Sequence, residues 1–258
     1  MILHYKDIPV FYTDQGKGDT IVLLHGFLEN SSMWIHLIPE LSKSNRVVCI
    51  DLLGHGQTGC LGYIHSMEAM AETVEAVLKH LKVDSATFIG HSMGGYVALA
   101  YAELFADKMR GLCLMNSSAM PDTEERKQNR DRAILAVKQN YKAFISMSVS
   151  NLFAPENREL LIDDIERVKK EALKTPLQGI IAALEGMKIR KNRVHLLQKS
   201  NYKKLMIIGR KDPVLEYNTL IEQTQNTEVK IVEFSDGHMS HIENKREFTY
   251  IIIRFIEK

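Results

Sequence analysis

The sequence lacks a surplus of charge of either sign. Its 33 lysine and arginine residues nearly cancel its 32 aspartate and glutamate residues, which leaves a formal net charge of +1 at pH 7. A chain so balanced has no summed electrostatic field that would draw it to nucleic acid or to an anionic membrane. We therefore expect neither of them as a partner.

Cysteine is scarce, and long apolar segments are missing. The chain has three cysteines, an odd number; Cys49 and Cys113 fall in apolar runs typical of buried strands, whereas Cys60 falls in a loop. The first residues lack the basic region and the long apolar stretch of a signal peptide, and no apolar run approaches the roughly 18 residues of a membrane span. We expect three reduced thiols in a cytoplasmic protein.

What the chain does contain is a series of short apolar runs with helical patterns between them. With 258 residues, 45% of them hydrophobic, it is long enough for one sizeable domain with an insertion. Continuous apolar runs are typical of strands covered on both faces, as in a mainly parallel α/β sheet flanked by helices. The runs are residues 20–24, 46–50, 86–89, 111–115, 205–208 and 229–234. Residues 2–6 and 8–13 predict an antiparallel hairpin at the sheet edge.

After residue 115 the strand pattern stops for about 80 residues, which is too long for an ordinary connection. Helical signals replace it, so we predict a helical insertion. Its helices are predicted to begin near Asp122, read as a helix-start residue, near Pro155 and near Thr175. The resulting division is a core of residues 1–118 and 198–258 and an insertion of residues 119–197.

One serine stands in a turn between glycines. After the apolar run 86–89, the residues Gly90-His91-Ser92-Met93-Gly94 match the pattern G-x-S-x-G, and a helical stretch follows. The glycines permit a cramped backbone, because a Cβ at those positions would collide with neighbouring chain. This arrangement exposes a hydroxyl at the head of a helix and predicts Ser92 as a nucleophile.

A serine nucleophile needs a base and a carboxylate that orients the base. Asp212 follows the run 205–208, where open α/β sheets place ligand-handling residues. Asn116 holds the alternative acid position after the preceding strand but cannot carry the charge. Of the two histidines after the last strand, we predict His238 as the base because it follows a glycine in the loop. We expect His241 to begin the turn into the final helix.

The oxyanion that forms during nucleophilic attack needs preorganised donors, usually two backbone N–H groups. We predict the N–H of Met93, at the start of the helix after the serine, as one donor. The N–H of Phe27, in the loop after the run 20–24, is the other. We expect His25 to brace this loop, and we interpret two further histidines as structural; they are His55 and His91.

No pattern predicts a metal or a cofactor. His238 and His241 are three residues apart, as metal ligands can be, but no third ligand stands at a recognisable spacing and the H-E-x-x-H pattern is missing. Apolar residues of the insertion mostly pack it onto the body, with a minority touching ligand. The residues assigned to a substrate pocket are Leu28, Phe144, Met147, Phe153, Leu184, Met187 and Val214.

Taken together, these motifs resemble the α/β-hydrolase fold superfamily over nearly the whole body of the chain. The stretches that carry the resemblance are residues 25–27, 51–56, 90–95 and 209–212, and Gly237-His238 with Glu243 after it. The resemblance implies an eight-stranded sheet in which only the second strand is antiparallel, flanking helices, and a helical cap inserted after the sixth strand. It also implies the catalytic order Ser, Asp, His. In this family a glutamate follows the catalytic histidine by five positions, which favours His238 again.

The resemblance and the residues predict a serine hydrolase that cleaves a small carboxylic ester through an acyl-enzyme. A second hypothesis keeps the three residues for carbon–carbon bond hydrolysis or an elimination, as in meta-cleavage product hydrolases and the menaquinone-pathway synthase. Those substrates are carboxylates, so a cation such as Arg190 or Lys188 is then expected. A third hypothesis, a ligand receptor on a hydrolase frame, is opposed by the intact set of Ser92, Asp212 and His238. Acyl length, leaving group and oligomeric state stay open.

Overall fold

An eight-stranded sheet forms the centre of the molecule. The structure is a computed structural model that describes residues 1–199 and 201–257. The strands are β1 Ile2–Tyr5, β2 Ile8–Gly16, β3 Thr20–Leu24, β4 Arg46–Ile50, β5 Ala86–His91, β6 Met109–Met115, β7 Lys203–Gly209 and β8 Lys230–Phe234. Each of the predicted apolar runs lies in one of these strands, apart from Val229, which directly precedes β8, so the α/β prediction is confirmed.

The strand order is β1-β2-β4-β3-β5-β6-β7-β8. β2 pairs antiparallel with both β1 and β4, and all other pairs are parallel. The implied sheet with only its second strand antiparallel is therefore confirmed. Because β3 and β5 to β8 run side by side in one direction, the loops after their carboxyl ends meet at one edge of the sheet.

Helices cover the sheet on both faces. The helices outside the insertion are α1 Ile38–Leu41, α2 Met67–His80, α3 Met93–Leu104, α9 Tyr217–Glu222, α10 Ser240–Glu243 and α11 Lys245–Glu257. Side chains alternate between the two faces of a strand. In β3, Ile21 and Leu23 join one buried cluster with residues of α11, whereas Val22 and Leu24 join another with residues of α2 and α3. Alternation thus produces two separate cores.

The segment between β6 and β7 is helical, as predicted. Its helices are α4 Glu124–Gln139, α5 Tyr141–Ser150, α6 Ile162–Ala172, α7 Leu177–Lys188 and α8 Val194–Lys199. Thr123 caps α4 by accepting a hydrogen bond from the N–H of Arg126. The predicted helix at Pro155 is wrong: that proline begins a single 3-10 turn, and α6 begins at Ile162. The limits 119–197 for a separate cap remain a prediction.

The structure describes the cysteines and the lengths of the apolar helices. The thiols of Cys49 and Cys113 are buried, that of Cys60 is partly exposed, and all three are free. Among the described residues, no helix is both long enough and apolar enough to span a membrane.

Candidate active site

Ser92 lies in a strained turn between β5 and α3. Its backbone has φ +49° and ψ −115°, in the left-handed half of the conformational map that a side chain rarely adopts. A Cβ at Gly94 would overlap the carbonyl oxygen of Leu24, and one at Gly90 would overlap the carbonyl of Gly94. The glycines of the motif therefore allow helix α3 to approach the sheet closely enough to hold this turn.

Neighbouring backbone fixes the turn. The N–H of Ser92 donates to the carbonyl of Met115 at 2.9 Å, which continues the pairing of β5 with β6. The hydroxyl of Ser117 donates to the carbonyl of Ser92 at 2.7 Å. The side chain of Ser92 itself is half-exposed in the loop and forms no hydrogen bond with any other described residue.

His238 and Asp212 form a buried pair on the loops after β8 and β7. The Nδ1 of His238 lies 2.7 Å from Oδ2 of Asp212, and the two side chains are 2% and 0% exposed. Because a carboxylate only accepts, Nδ1 carries a proton, and the tautomer with this single proton has its lone pair on Nε2. Within the described part of the chain, that Nε2 has no hydrogen-bond partner. The arrangement suits a base whose second nitrogen is available to substrate or nucleophile.

The carboxylate of Asp212 is held by further donors. Its Oδ1 accepts from the N–H groups of Val214 and Leu215 at 2.8 and 3.0 Å, and Oδ2 accepts from Nδ2 of Asn116 at 3.1 Å. Burial alone would raise the pKa of Asp212, but the neighbouring His238 and these hydrogen bonds outweigh burial and lower the pKa below its usual range. Asp212 is therefore the charged partner that orients His238.

Asn116 contributes to the site, although the sequence indicated only that it occupies the alternative acid position without carrying a charge. It follows β6, and besides Asp212 its Nδ2 donates to the carbonyl of Gly237 at 3.2 Å. Its Oδ1 accepts from the hydroxyl of Ser240 at 2.7 Å. The amide thus connects the acid loop with the histidine loop. The signal for this role was its position after a strand next to the one that precedes Asp212.

The histidine loop is tied to the helical insertion. The N–H of His238 donates to the carbonyl of Leu152 at 2.8 Å. Glu243 accepts from the N–H of Met239 through Oε2 at 3.1 Å and from the N–H of Ala154 through Oε1 at 2.9 Å. The resemblance pointed to Glu243 by its spacing, and the structure gives it a physical role as a clamp between the loop and the insertion.

The two predicted oxyanion donors belong to two different segments, the start of α3 and the loop after β3. Met93 is the first residue of α3, so its N–H has no acceptor within the helix. Phe27 lies in the loop after β3. The protonated Nδ1 of His25 donates to the carbonyl of Gly26 at 2.8 Å, and its Nε2 accepts from the N–H of Leu52 at 2.9 Å. His25 therefore braces this loop, as expected, with both ring nitrogens in use.

A second carboxylate–histidine pair lies beside the first. The Nδ1 of His91 is 2.6 Å from Oε2 of Glu29, and its Nε2 is 3.0 Å from the carbonyl oxygen of His238. The rings of His91 and His238 have centroids 5.0 Å apart. The same Oε2 of Glu29 accepts from the N–H of Gly26 at 2.7 Å. Glu29 was not identified from the sequence, and His91 was interpreted only as structural.

His241, the competing base, is in a different environment. Its ring lies 5.4 Å from that of His91 and 6.2 Å from that of Trp34, and its buried Nδ1 has no partner among the described residues. Burial lowers its pKa to about 3. The hydrogen bond to Asp212 belongs to His238, so the geometry favours His238 over His241 as the base.

Glu29, His91 and His241 bring potential ligand atoms within 4.8 Å of one another, a grouping that the sequence spacing did not predict. The 2.6 Å between Nδ1 of His91 and Oε2 of Glu29 is a hydrogen-bond length. Two ligands of one tetrahedral zinc ion lie roughly 3.4 Å apart, given bonds of about 2.1 Å. The cluster as built is therefore a hydrogen-bonded pair with a third ring packed on it.

Most residues assigned to a substrate pocket are buried. Met147, in α5, differs because it is 59% exposed, so the structure gives no support to it as part of an enclosed pocket. Val214 is half-buried next to Asp212. The buried members are Leu28, Phe144, Phe153, Leu184 and Met187.

A cavity of about 560 Å³ lies next to the loop after β3, whose residues Leu28 and Glu29 line it. Its lining also includes Trp34, residues of α6, and His241 with the first residues of α11. Its lining includes neither Ser92 nor His238. The cavity therefore adjoins the candidate site without containing the reacting groups.

The two cations considered for a carboxylate substrate are both engaged. Arg190 is 5% exposed, pairs with Asp122 at 2.5 Å and lies over the ring of Tyr96. Lys188 pairs with Asp131 and Glu185 on the surface.

Asp122 itself is more than the predicted helix-start residue. Its side chain is fully buried, and besides Arg190 it pairs with Arg126 and Arg130. The cap of α4 is Thr123, one residue later. An unpaired buried carboxylate would be costly, so the three arginines explain why an acid is tolerated at this place.

A model of the alpha/beta hydrolase fold matches residues 19–245. Among curated proteins, the chain is 24% identical to 3-oxoadipate enol-lactonase 2 of Acinetobacter baylyi, covering 97% of this chain and 96% of that protein. It is 26% identical to the dihydrolipoyllysine-residue acetyltransferase component of the acetoin cleaving system of Pseudomonas putida, covering 94% of this chain and only 65% of that protein.

Among solved structures, a thermophilic esterase from Thermogutta terrifontis is similar to this chain. The TM-score is 0.91 at 28% identity, covering 97% of this chain and 93% of the esterase. The family match covers most of the chain, and the strand order and the turn at Ser92 agree with it. The chain belongs to the alpha/beta hydrolase fold family.

Proposed function

We propose that this member of the alpha/beta hydrolase fold family is a serine hydrolase that cleaves small carboxylic esters through an acyl-enzyme. One observation carries the proposal: Ser92 stands in a strained turn at the sheet edge where the buried pair of His238 and Asp212, 2.7 Å apart, also lies. The similarity to an esterase and to an enol-lactonase supports hydrolytic activity, since a lactone is a cyclic ester.

In the proposed mechanism, Nε2 of His238 takes the proton of the Ser92 hydroxyl while its oxygen attacks the ester carbonyl. Asp212 keeps the proton on Nδ1 and stabilises the imidazolium that forms. The N–H groups of Met93 and Phe27 hold the oxyanion. The imidazolium then protonates the leaving alcohol, and a water activated by His238 hydrolyses the acyl-enzyme. This chain supplies every group in that sequence of steps.

The state of the basic residues favours an uncharged ester over a carboxylate substrate. Arg190 and Lys188 were the cations expected for carbon–carbon bond hydrolysis or an elimination, and each is already paired with a carboxylate. Releasing Arg190 would leave Asp122 short of one partner in a fully buried place. Short acyl esters and small lactones are therefore the substrate class that we propose.

The test is to compare the wild-type protein with Ser92→Ala on p-nitrophenyl esters of graded acyl length, on small lactones, and on a vinylogous diketo acid. We expect the variant to lose ester hydrolysis and labelling by a fluorophosphonate. Ser85→Ala is the matched control, because Ser85 lies just before the other end of β5, where its hydroxyl accepts from Arg110. Undiminished labelling of the Ser92 variant, or turnover of the diketo acid alone, would contradict the proposal.

A further inference from the structure

The hydrogen bonds of His91 fix where its protons are. The Nε2 of His91 faces the carbonyl oxygen of His238 at 3.0 Å, and a carbonyl only accepts. The Nδ1 faces Oε2 of Glu29 at 2.6 Å, and that oxygen also accepts from the N–H of Gly26. A ring with an acceptor at each nitrogen needs a proton on both, which makes it an imidazolium next to a carboxylate.

The surroundings support the charged form of both groups. Burial alone would raise the pKa of Glu29, but attraction to His91 outweighs burial and lowers the pKa to about 2. Burial would likewise lower the pKa of His91, but Glu29, the carbonyl of His238 and the more distant Asp212 raise it above its usual value. The other titratable rings that face the pair are those of His25, His238 and His241. Burial lowers the pKa of His25, and it lowers that of His241 to about 3, so both stay neutral.

We propose that Glu29 and His91 are positioning residues, a buried carboxylate–imidazolium pair that holds the backbone of His238 and the oxyanion loop in register. This inference rests on the proposed function. Glu29 fixes the N–H of Gly26, directly before the Phe27 donor, and His91 directly precedes Ser92. One pair therefore joins the turn at Ser92, the loop that contains Phe27 and the loop that contains His238.

Glu29→Gln breaks this pair with almost no change of shape. Oε2 of Glu29 accepts from Gly26 and from His91 at once. A glutamine that turns its oxygen to both of them leaves the second proton of His91 without a counter-charge, and one that turns its amide to them faces the N–H of Gly26 with another donor. Either state shifts at least one of the three loops.

The first measurement uses the wild-type protein alone. We expect ¹⁵N NMR at about pH 7.5, a unit above the ordinary pKa of histidine, to show both ring nitrogens of His91 protonated. We expect the ring in Glu29→Gln to carry a single proton at this pH. A singly protonated wild-type ring would overturn the charged pair. Stoichiometric binding of Zn²⁺ that Glu29→Gln abolishes would also overturn it, because a metal ion would then replace the proton.

The second measurement is kinetic. Misplacement of the base and the oxyanion donor lowers turnover more than binding, so we expect kcat of Glu29→Gln to fall about 10²-fold with little change in KM. Glu75→Gln is the matched control. Glu75 is equally buried, in α2, and its carboxylate bonds Tyr101 and Lys108 away from the site. Equal kcat values for the two variants would overturn the positioning role.

The two measurements separate this inference from the proposed function. An inactive wild-type protein with a doubly protonated His91 would contradict the hydrolase proposal and leave the charged pair in place. An active wild-type protein with a neutral His91 would do the reverse.

Discussion

Two carboxylate–histidine pairs lie side by side at the carboxyl edge of the sheet, and they differ in what the second ring nitrogen does. In both, Nδ1 faces a buried carboxylate, at 2.7 Å in His238–Asp212 and at 2.6 Å in His91–Glu29. Nε2 of His91 is committed to the carbonyl of His238, whereas Nε2 of His238 meets no partner in the described part of the chain.

A carboxylate next to a histidine therefore does not by itself make a base. A general base needs one nitrogen with an available lone pair within reach of the proton that it takes. A ring with both nitrogens in hydrogen bonds is suited to bracing instead. The number of acceptors around the ring, rather than the short contact with the acid, distinguishes His238–Asp212 from His91–Glu29.

The largest effect is expected from replacing the acid of the His238–Asp212 pair. Asp212→Asn presents a neutral amide to Nδ1 of His238, so the ring loses its preferred tautomer and the imidazolium loses its stabilisation. We expect kcat for a p-nitrophenyl ester to fall about 10⁴-fold with the circular dichroism spectrum unchanged. Asp14→Asn, which removes a charge paired with Arg46 between β2 and β4, is the control. A loss of less than tenfold would contradict the role given to Asp212.

The next prediction moves the acid to the neighbouring strand. Nδ2 of Asn116 lies 3.1 Å from Oδ2 of Asp212. A carboxylate at residue 116 therefore lies close to the position of the carboxylate that Asp212→Asn removes. We expect Asn116→Asp in the Asp212→Asn background to regain at least about tenfold in kcat. The single variant Asn116→Asp should lose activity at neutral pH, because two like charges then share the site. No gain in the double variant would show that the loop after β7 alone can orient His238.

A smaller effect is expected at the clamp of the histidine loop. Glu243→Gln replaces one of two accepting oxygens that hold Met239 and Ala154 by a donor. We expect a loss of stability of about 1–2 kcal/mol and a drop in kcat well below that of Glu29→Gln, measured by urea unfolding and ester turnover. Glu233→Gln, in a surface pair with Arg210, should change neither. A drop in kcat as large as that of Glu29→Gln would contradict this order of effects.

The last prediction concerns the pH dependence of stability rather than turnover, at a buried histidine with no carboxylate partner among the described residues. Burial lowers the pKa of His65 to about 4 from 6.5, so below about pH 6.5 the unfolded chain binds a proton that the folded chain refuses. The contribution of neutral His65 to the free energy of unfolding is therefore fully present above pH 6.5. It is lost as the pH falls toward 4, at about 1.4 kcal/mol per pH unit. We expect His65→Gln to flatten the fall in the free energy of unfolding between pH 6.5 and 5. The exposed His4→Gln should leave the slope unchanged, and an equal slope in His65→Gln would contradict the assignment.

Local patterns made the fold predictable, and they pointed to the residues of the candidate site. The strand, the glycine-bounded turn and the helix around Ser92 follow one another within a few residues, and each leaves its own signal. Asp212 and His238 each follow a buried apolar run, and parallel strands deliver such residues to one edge of the sheet. These features needed no knowledge of which distant segments touch.

The Glu29–His91 pair depends on contacts between distant segments, which no local sequence pattern predicts. Glu29 and His91 are 62 residues apart, and His91 and His238 are 147 apart. The sequence alone does not distinguish a buried glutamate in a loop from an exposed one, because the difference lies in a partner from another segment. Pro155 misled for a related reason: it is compatible with a 3-10 turn as well as with a helix.

The carbonyl of Leu152 that accepts the N–H of His238 has a consequence for protein engineering. Exchanging the whole stretch between β6 and β7 for that of a relative, in the hope of transferring its substrate preference, would also remove the hydrogen bond that anchors the backbone of His238. Chimaeras should therefore retain residues 152–157 and trade only the helices on either side of them.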